Sequence, residues 1–397
     1  MTSAMRLADV VITTTGSRNP AKQPNEEFVY VDVAAIDNEV KSITGAKRMT
    51  GAEAPSRARK VLRTGDVLVS TVRPNLNAVA LVPEALDDQI ASTGFCVLRA
   101  KEEVVLPKYL FYFVRSRRFI DELTKLVSGA LYPAVTDRQV LEQRIPVVPL
   151  EEQRRIVDLL ARAEGIMSLR REAQTKAQAI IPALFLDMFG DPVTNPKGWP
   201  ITPLSEVAQV ISGIAKGRKL AAGEGIELPY MRVANVKDGY LDLGEVKTIE
   251  IKHTEVDKLL IQPGDLLMTE GGDPDKLGRA ALWSGEIDRC VHQNHVFKVR
   301  SDRSRVLPSY LRALASSTYG KAYFLSVAKK TTGIASINKT QLSAFPVVLP
   351  PPLEQVAFTD RAASIAAIVL QQTAALKKVE ATFQALLARA FNKGGYE

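Results

Sequence analysis

The sequence predicts an α+β protein in which two pseudo-repeated α+β domains are separated by two long coiled-coil helices. Three observations predict this fold class. A long amphipathic segment at 149–191 recurs at 351–395, with Gln153 matching Gln355 at an offset of 202 residues, 355 minus 153. Short strand-like and helix-like runs occur in the same order before each long segment, which is typical of an α+β domain built twice. The Gly- and Pro-rich stretch 190–200 between the copies is typical of a linker.

The predicted order is domain 1 at 1–149, a central helix with linker at 150–190, domain 2 at 191–349 and a C-terminal helix at 350–397. Alternating strands are expected at 28–36 and 228–236, and a Gly-Asp turn leads into an apolar strand in RTGDVLVSTVRPN (63–75) and QPGDLLMTEGGDP (262–274). Pro107 and Pro308 each open a short helix. Thr136 and Asn338, each followed three residues later by Gln, predict matched capping boxes.

Steps of three and four residues from Ile156 and from Phe358 predict an apolar coiled-coil seam on each long helix. Pro182 is expected to kink or end the first helix near Ile181. The alternative is that each helix packs only on its own domain; two helices with equal spacing favour mutual packing. The predicted seam residues are Ile156, Leu159, Ile166, Ile180, Leu184, Phe358, Ile365, Ile368, Val379 and Leu386.

Length and composition restrict the class of protein. A chain of 397 residues with 46% apolar and 24% charged residues is expected to form two or three ordinary globular domains. Only two cysteines occur, so a disulfide framework is not expected and a reducing cytoplasm is. The first residues lack the pattern of a signal peptide, and no apolar run is long enough to span a membrane. A net charge of +8 favours a polyanionic partner.

The order of domain, long helix, domain, long helix is similar to that of the specificity subunit of type I restriction-modification systems. The strings that carry the resemblance are PLEEQ (149–153), PPLEQ (351–355) and MFGDPVTNPKGWP (188–200). The resemblance implies two target recognition domains held apart by antiparallel helices, a split double-stranded DNA target, and two docked methyltransferase subunits, with restriction subunits as further partners. It implies no cofactor on this chain: S-adenosylmethionine belongs to the methyltransferase, and ATP and Mg to a restriction subunit.

Candidate DNA contacts follow strand ends in both domains. In STVRPN (70–75) an Arg and an Asn can present the guanine-binding fork and the adenine-binding amide, and STVRPN and ASTGFCVLR resemble strings of one group of recognition domains. GGDPDKLGRA (271–280) and HQNHVFKVR (292–300) resemble another. Alternatively, Arg73 binds phosphate or an acidic neighbour. The Gly loops near 129 and 333 follow basic stretches that suit phosphates or, alternatively, are solvated turns. The predicted contacts are Arg73, Asn75, Ser92, Thr93, Tyr132, Lys276, Arg279, His292, Gln293, Asn294, His295, Lys330 and Ser336.

Enzymatic alternatives have weaker sequence support. Cys290, His292 and His295 have a spacing that could bind zinc, but alternation along a strand places His295 on the opposite face. No Asn-Pro-Pro-aromatic methyltransferase motif or phosphate loop occurs. A metal-dependent nuclease using Asp273, Asp275 and Glu286 remains an alternative, as does a scaffold that ignores DNA sequence. The prediction is a chain without catalytic activity.

Overall fold

The computed structural model describes residues 3–392 except 14, 129–132, 218–219, 222, 274–275 and 332. It divides into two compact units: unit 1 comprises 1–171 and 374–397, and unit 2 comprises 172–373. Each unit therefore contains one α+β domain together with half of each long helix. None of the helices in these described ranges is long and apolar enough to cross a membrane.

Unit 1 contains a four-stranded antiparallel sheet, β2-β11-β8-β9, and a second sheet, β6-β3-β10-β7, in which β3 and β10 are parallel. Strands β1 and β12 pair next to the start of the long helix, and β4 pairs with β5. The strands are β1 Ser3–Arg6, β2 Val11–Ile12, β3 Glu27–Val31, β4 Ile36–Asp37, β5 Ser42–Ile43, β6 Lys47–Thr50, β7 Ala58–Val61, β8 Val67–Ser70, β9 Val79–Leu81, β10 Ile90–Ser92, β11 Phe95–Ala100 and β12 Arg144–Val147. The helices are α1 Leu7–Val10, α2 Pro107–Val114, α3 Arg117–Lys125, α4 Asp137–Leu141 and α5 Leu150–Phe189, the last of which continues into unit 2.

Unit 2 repeats this topology. Its antiparallel sheet is β14-β21-β17-β19, β15 and β20 form the parallel pair, and β13 pairs with β24 next to the second long helix. A third sheet, β18-β23-β22, lies at the end of the domain. The strands are β13 Ile201–Pro203, β14 Ala208–Ser212, β15 Gly225–Met231, β16 Lys247–Lys252, β17 Leu266–Thr269, β18 Gly271–Gly272, β19 Ala280–Leu282, β20 Val291–His292, β21 Val296–Ser301, β22 Lys329–Thr331, β23 Ile334–Ser336 and β24 Pro346–Val348. The helices are α6 Val256–Leu259, α7 Pro308–Ser316, α8 Thr318–Val327, α9 Lys339–Ser343 and α10 Pro352–Asn392, the last of which continues into unit 1.

The predicted strands at 28–36 and 228–236 are shorter than expected. Strand β3 ends at Val31 and β15 ends at Met231, and a short 3-10 turn follows each strand. Asp32 ends the first strand because its side chain accepts a hydrogen bond from the Val33 N–H at 2.7 Å, a local bond that competes with strand pairing. The predicted capping boxes at Thr136 and Asn338 are both present.

The predicted Gly-Asp turns form the same buried ion pair in both units. Asp66, whose side chain is fully buried, accepts from Nε and Nη2 of Arg99 at 2.8 Å each, and Asp265 accepts from the same two atoms of Arg300 at 2.7 and 2.6 Å. The glycine before each aspartate has a positive φ, 84° and 94°, which favours glycine at that turn. The pairs join the starts of β8 and β17 to their neighbouring strands.

A buried glutamine attaches each long helix to its domain. Gln153 is fully buried; its Oε1 accepts from the Leu106 N–H at 2.9 Å, and its Nε2 donates to the carbonyls of Val104 and Val148 at 2.9 and 2.8 Å. The equivalent side chain in unit 2 makes the same three bonds, at 2.8, 3.1 and 2.9 Å, from Gln355 to Leu307, Arg305 and Pro350. The repeated Glu-Gln pair of the sequence thus marks the joint between domain and helix.

Helix α5 continues through Pro182 to Phe189, so it does not end near Ile181, and the other predicted outcome, a kink at Pro182, stays a prediction. Proline removes the hydrogen bond to the carbonyl of residue 178, but both positions lie on the exposed side of the helix, where water can satisfy that carbonyl. Within unit 2, Gln174 contacts Thr373 and Phe185 contacts Phe358, so the two helices are antiparallel.

The predicted seam residues fall into a buried group and an exposed group. Ile156, Leu184, Phe358, Val379 and Leu386 pack against the cores of their units, and Ile365 is half-buried. Four predicted seam residues are wrong, because 47–51% of each side chain is exposed: Leu159, Ile166, Ile180 and Ile368. The buried positions lie one residue later at Leu160, Met167 and, partly, Ile181 of α5. The heptad is therefore present, but its steps alternate as four and three from Ile156 rather than three and four.

Candidate nucleic-acid interface

Three segments of unit 1 meet at the main chain of Thr71, directly after β8. The Thr71 N–H donates to the Gly94 carbonyl at 2.9 Å, and the Thr71 carbonyl accepts from the Val135 N–H at 2.9 Å. The Arg73 N–H donates to the Pro133 carbonyl at 2.8 Å. The strand end, the turn before β11 and the loop before α4 therefore form one surface.

Arg73 and Asn75 are presented by a constrained turn within this surface. Arg73 has φ +48°, an uncommon conformation for a residue other than glycine, and its side chain is exposed. Pro74 behind it is buried, and the side chain of Asn77, also at φ +48°, donates to the Val114 carbonyl at 2.8 Å. The turn is fixed to the domain core while Arg73 and Asn75 face solvent, an arrangement that suits contact with a base edge or a phosphate.

The remaining predicted contacts of unit 1 divide between exposed and buried positions. Thr93 is exposed and lies beside Gly94 in the same surface. Ser92 is fully buried in β10, and its Oγ accepts from the Gly94 N–H at 3.2 Å. The prediction that Ser92 contacts DNA is wrong, because this hydroxyl stabilises the turn instead. Tyr132 lies outside the described residues.

Unit 2 builds the equivalent surface around Glu270, directly after β17. The Glu270 N–H donates to the His295 carbonyl at 3.0 Å, and the Glu270 carbonyl accepts from the Ile337 N–H at 2.8 Å. Strand pairing continues from Gly271 to Ser336 and from Ser336 to the β22 lysines. The half-buried Ser336 therefore lies opposite Gly271, the residue after Glu270, and the exposed Lys330 lies on a strand two strand spacings, about 10 Å, from β18.

The turn between β20 and β21 contributes three further predicted residues. Gln293 and Asn294 are half-buried, and their N–H groups donate to the carbonyls of Met231 and Ile214 at 3.0 and 2.9 Å. His295 is exposed, and its Nδ1 lies 2.7 Å from Oε2 of Glu270. These three side chains therefore belong to the same surface as Lys330.

His292 does not belong to this surface, so the prediction that it contacts DNA is wrong. It is fully buried, its Nδ1 lies 2.7 Å from the Val296 carbonyl, and burial lowers the pKa of its ring to about 4. His292 is the last residue of β20, and its neutral ring faces the first residue of β21 in the core. A buried neutral imidazole without access to solvent offers nothing to a phosphate or a base.

Lys276 and Arg279 lie on the loop between β18 and β19, and both are half-buried. Lys276 Nζ forms an ion pair with Asp273, which lowers the pKa of that carboxyl. The main chain of Arg279 is fixed because its N–H donates to the Thr269 Oγ1 at 3.2 Å. The loop thus brings two cations next to the Glu270 surface.

The described residues of the alternative metal sites are not placed together as a metal-ion cluster. Within the described part of the chain, no group of three or more His, Cys, Asp or Glu side chains is placed to hold a metal ion. Burial raises the pKa of the Cys290 thiol to about 12, so the thiolate that zinc requires is disfavoured. Glu286 accepts from the Ser284 N–H at 2.9 Å in a turn, and Asp275 lies outside the described residues.

Sequence reasoning missed Glu270, the residue that organises the unit 2 surface. It occupies the place of Thr71 in the repeat, and a single acidic residue after a strand carries no sequence signal of its own. An alignment of GDLLMTEGG (264–272) with GDVLVSTVRP (65–74) could have indicated Glu270, because a carboxylate there replaces the hydroxyl of Thr71.

Two repeated units, each containing half of each long helix and each presenting cations and amides at one constrained surface, have the arrangement of a two-domain DNA-recognition protein. A family model described as the type I restriction modification DNA specificity domain matches residues 4–177. The type I restriction enzyme StySPI specificity subunit of Salmonella potsdam is 25% identical over 318 residues, 75% of this chain and 67% of that protein. The EcoKI specificity subunit of Escherichia coli K12 is 23% identical over 75% of this chain and 68% of that protein.

Solved structures are similar over almost the whole chain. A chain from work on complex assembly and conformational transition of the type I R-M system is 30% identical, covers 98% of this chain and 97% of its own length, and has a TM-score of 0.62. The type I restriction-modification S subunit from M. genitalium, at 12% identity and a TM-score of 0.55 over 98% and 96%, shares the fold. The chain belongs to the family of type I restriction-modification specificity subunits, and it is a DNA sequence-specificity subunit. Members of this family are not themselves catalytic.

Proposed function

We propose that each unit reads one half of a split, asymmetric target in double-stranded DNA. The observation that carries this proposal is that two surfaces built around equivalent main-chain junctions, at Thr71 and at Glu270, carry different exposed side chains. Unit 1 presents Arg73, Asn75 and Thr93, whereas unit 2 presents His295 and Lys330. Because base edges are read by side chains, two unlike sets on one framework are suited to two unlike half-sites.

Phosphate contacts would supply the affinity that is independent of sequence. The exposed β22 lysines and Lys276 border the unit 2 surface, and the chain has a net charge of +8. Lysine and arginine on a folded surface neutralise phosphates and make binding depend on salt. We therefore expect salt to weaken binding to all sequences, whereas substitution of a base-reading residue weakens binding to one half-site.

The long helices are proposed to set the distance between half-sites. A helix of 40 residues is about 60 Å long at 1.5 Å per residue, whereas two half-sites one turn apart are separated by roughly 34 to 36 Å. Both helices are therefore long enough to serve as a spacer. Removing seven residues from each should shorten the spacer by about 10 Å, which is about three base pairs.

The apolar residues that the seam leaves exposed are proposed to dock two methyltransferase subunits, one on each unit. On the unit 1 half of α5, Leu159, Ile166 and Leu169 lie at helical spacing and are 48–68% exposed. On the unit 2 half of α10, Ile368 and Leu370 are 51% and 73% exposed. Exposed apolar stripes of this kind mark protein–protein interfaces. The methyltransferase would bind S-adenosylmethionine and methylate adenine N6, restriction subunits would bring ATP and Mg, and the complex would act in the cytoplasm.

Mapping of methylated bases in the source genome, combined with footprinting of the purified complex, tests the reading function. We expect two short, unlike sequence blocks separated by a gap of fixed length without sequence preference. One uninterrupted block, or uniform protection of every duplex, would contradict the proposal.

Deletion of residues 168–174 and 374–380, which removes facing turns of α5 and α10, tests the spacing function. We expect the gap to shorten by about three base pairs while both half-site sequences remain. Deletion in one helix alone is the control, because it disrupts the antiparallel pairing and should destabilise the protein. A double deletion that alters half-site sequences but not the gap would contradict the spacer.

A further inference from the structure

Three side chains form a hydrogen-bonded chain at the surface of unit 2. Oε2 of Glu270 lies 2.7 Å from Nδ1 of His295, and Nε2 of His295 lies 3.4 Å from Nδ2 of Asn294. Glu270 directly follows β17, whereas the other two residues lie in the turn between β20 and β21. Segments separated by more than twenty residues are thus joined through one imidazole ring.

The main chain fixes both ends of this side-chain chain. The Glu270 N–H donates to the His295 carbonyl at 3.0 Å, and the Asn294 N–H donates to the Ile214 carbonyl at 2.9 Å. The His295 side chain is 56% exposed, but that of Glu270 is only 29% exposed. The carboxylate is therefore partly covered, while the ring and the amide remain accessible to a ligand.

The carboxylate determines which atom of each group donates. An ionised carboxylate only accepts hydrogen bonds, so Nδ1 of His295 carries the hydrogen. In the neutral ring Nε2 is then an acceptor, and it faces the Nδ2 donor of Asn294. This orientation leaves Oδ1 and the second N–H of Asn294 for a ligand. If Nε2 carried the hydrogen instead of Nδ1, the Asn294 amide would be reversed, with Oδ1 facing the ring.

An amide edge with one acceptor and one donor matches one base in the major groove. Adenine presents the N6 amino donor beside the N7 acceptor, and asparagine binds both atoms. We propose that Glu270 is a positioning residue for base reading by unit 2: through His295 it fixes the Asn294 amide to accept from N6 and donate to N7 of an adenine. This inference rests on the proposed function of unit 2 as the reader of one half-site.

Unit 1 lacks this side-chain chain. Its equivalent junction is Thr71, whose Oγ1 donates to the Gly94 carbonyl at 2.9 Å and is thereby used within the domain. The backbone bond at the junction is the same in both units, but the carboxylate and the imidazole occur only at Glu270 and His295. Among the described residues at these two junctions, the positioning of an amide through a carboxylate and an imidazole is therefore found in unit 2 and not in unit 1.

The test measures base preference at every position of the target with the full chain in complex with its partner subunits. Asn294→Ala should reduce the preference for adenine at one position of one half-site by about 5- to 150-fold. Glu270→Ala and His295→Ala should reduce the same preference partly, and Glu270→Ala should add nothing to Asn294→Ala. Glu270→Gln should restore it, because Oε1 of glutamine can accept from Nδ1. Glu250→Ala, at an exposed carboxylate of β16, is the matched control.

The possible results separate this inference from the proposed function. A wild-type complex without any sequence preference would overturn both. A sequence-specific wild type whose base preferences are unchanged in His295→Ala and Glu270→Ala would overturn only the inference. Equal weakening of binding to all sequences would also overturn it. If Glu270→Ala lowers the melting temperature, His295→Ala decides, because this exposed ring can be removed without opening the core.

Discussion

Replacement of Gln153 by alanine tests whether the buried glutamine attaches the long helix to domain 1. The Gln153 side chain is fully buried, and it makes three hydrogen bonds of 2.8–2.9 Å to main-chain atoms before and after β12. Alanine would remove all three bonds. It would also leave one N–H and two carbonyl groups buried without that partner.

The magnitude follows from these three bonds. Each is worth about 0.5–1.5 kcal/mol net, and a buried group left without a partner costs about 1–3 kcal/mol. We expect Gln153→Ala to lower the free energy of unfolding of unit 1 by about 4 kcal/mol. For a body of this size, about 2–4 °C of melting temperature is lost per kcal/mol, so a shift of roughly 8–16 °C is expected.

The appropriate assay is denaturant unfolding monitored by amide hydrogen exchange, because the two units need not unfold in one transition. The Leu106 amide, which donates to Gln153 in the wild type, should exchange faster in the variant. Glu152→Ala is the control: its exposed side chain forms one surface ion pair with Arg155 at 3.6 Å, which is worth less than about 1 kcal/mol. Equal effects of the two substitutions, or an unchanged Leu106 amide, would refute the reasoning.

Three further predictions follow from individual side chains. Leu160→Ala should cost about 2–5 kcal/mol of stability, whereas Leu159→Ala should leave stability nearly unchanged and weaken co-purification of partner subunits, as measured by unfolding and pull-down. Arg73→Ala should cost about 1–3 kcal/mol and relax only the first half-site, as measured on duplex libraries; a uniform loss would identify a phosphate contact. Burial lowers the pKa of His292 to about 4 from 6.5, so the unfolded chain is protonated first as pH falls. This contribution to the free energy of unfolding is fully present above pH 6.5, and about 3 kcal/mol of it is lost as the pH falls to 4. Denaturant unfolding at a series of pH values should show this loss in the wild type but not in His292→Gln.

The sequence was sufficient to predict the repeat because both copies use the same few local devices. The Gly-Asp turns, the capping boxes and the Glu-Gln pair each depend on residues close together in the chain, and all are present in the structure. Heptad phase was harder to predict. The residues three and four positions after Ile156, Leu159 and Leu160, are both apolar, and only packing against the domain core decides which of them is buried.

The candidate surface shows the corresponding limit for site residues. Exposed loop positions such as Arg73 and His295 could be predicted from residue type and position after a strand. Ser92 and His292 have equally suitable chemistry, but each lies in a strand that pairs with an earlier strand of the chain, Ser92 opposite Ala58 and His292 opposite Met231, and both side chains are buried. A short polar motif does not reveal such burial.

The placement of the variable side chains explains how one framework can serve two different half-sites. The bonds that hold each surface together are main-chain bonds from Thr71 or Glu270, so they remain whichever side chain occupies that position. The residues that stabilise the fold, such as Asp66 with Arg99, lie elsewhere in the domain. Substitutions at the proposed reading surface are therefore expected to change recognition at little cost in stability. Loss of the main-chain bonds would instead be expected to disturb recognition of every base in that half-site.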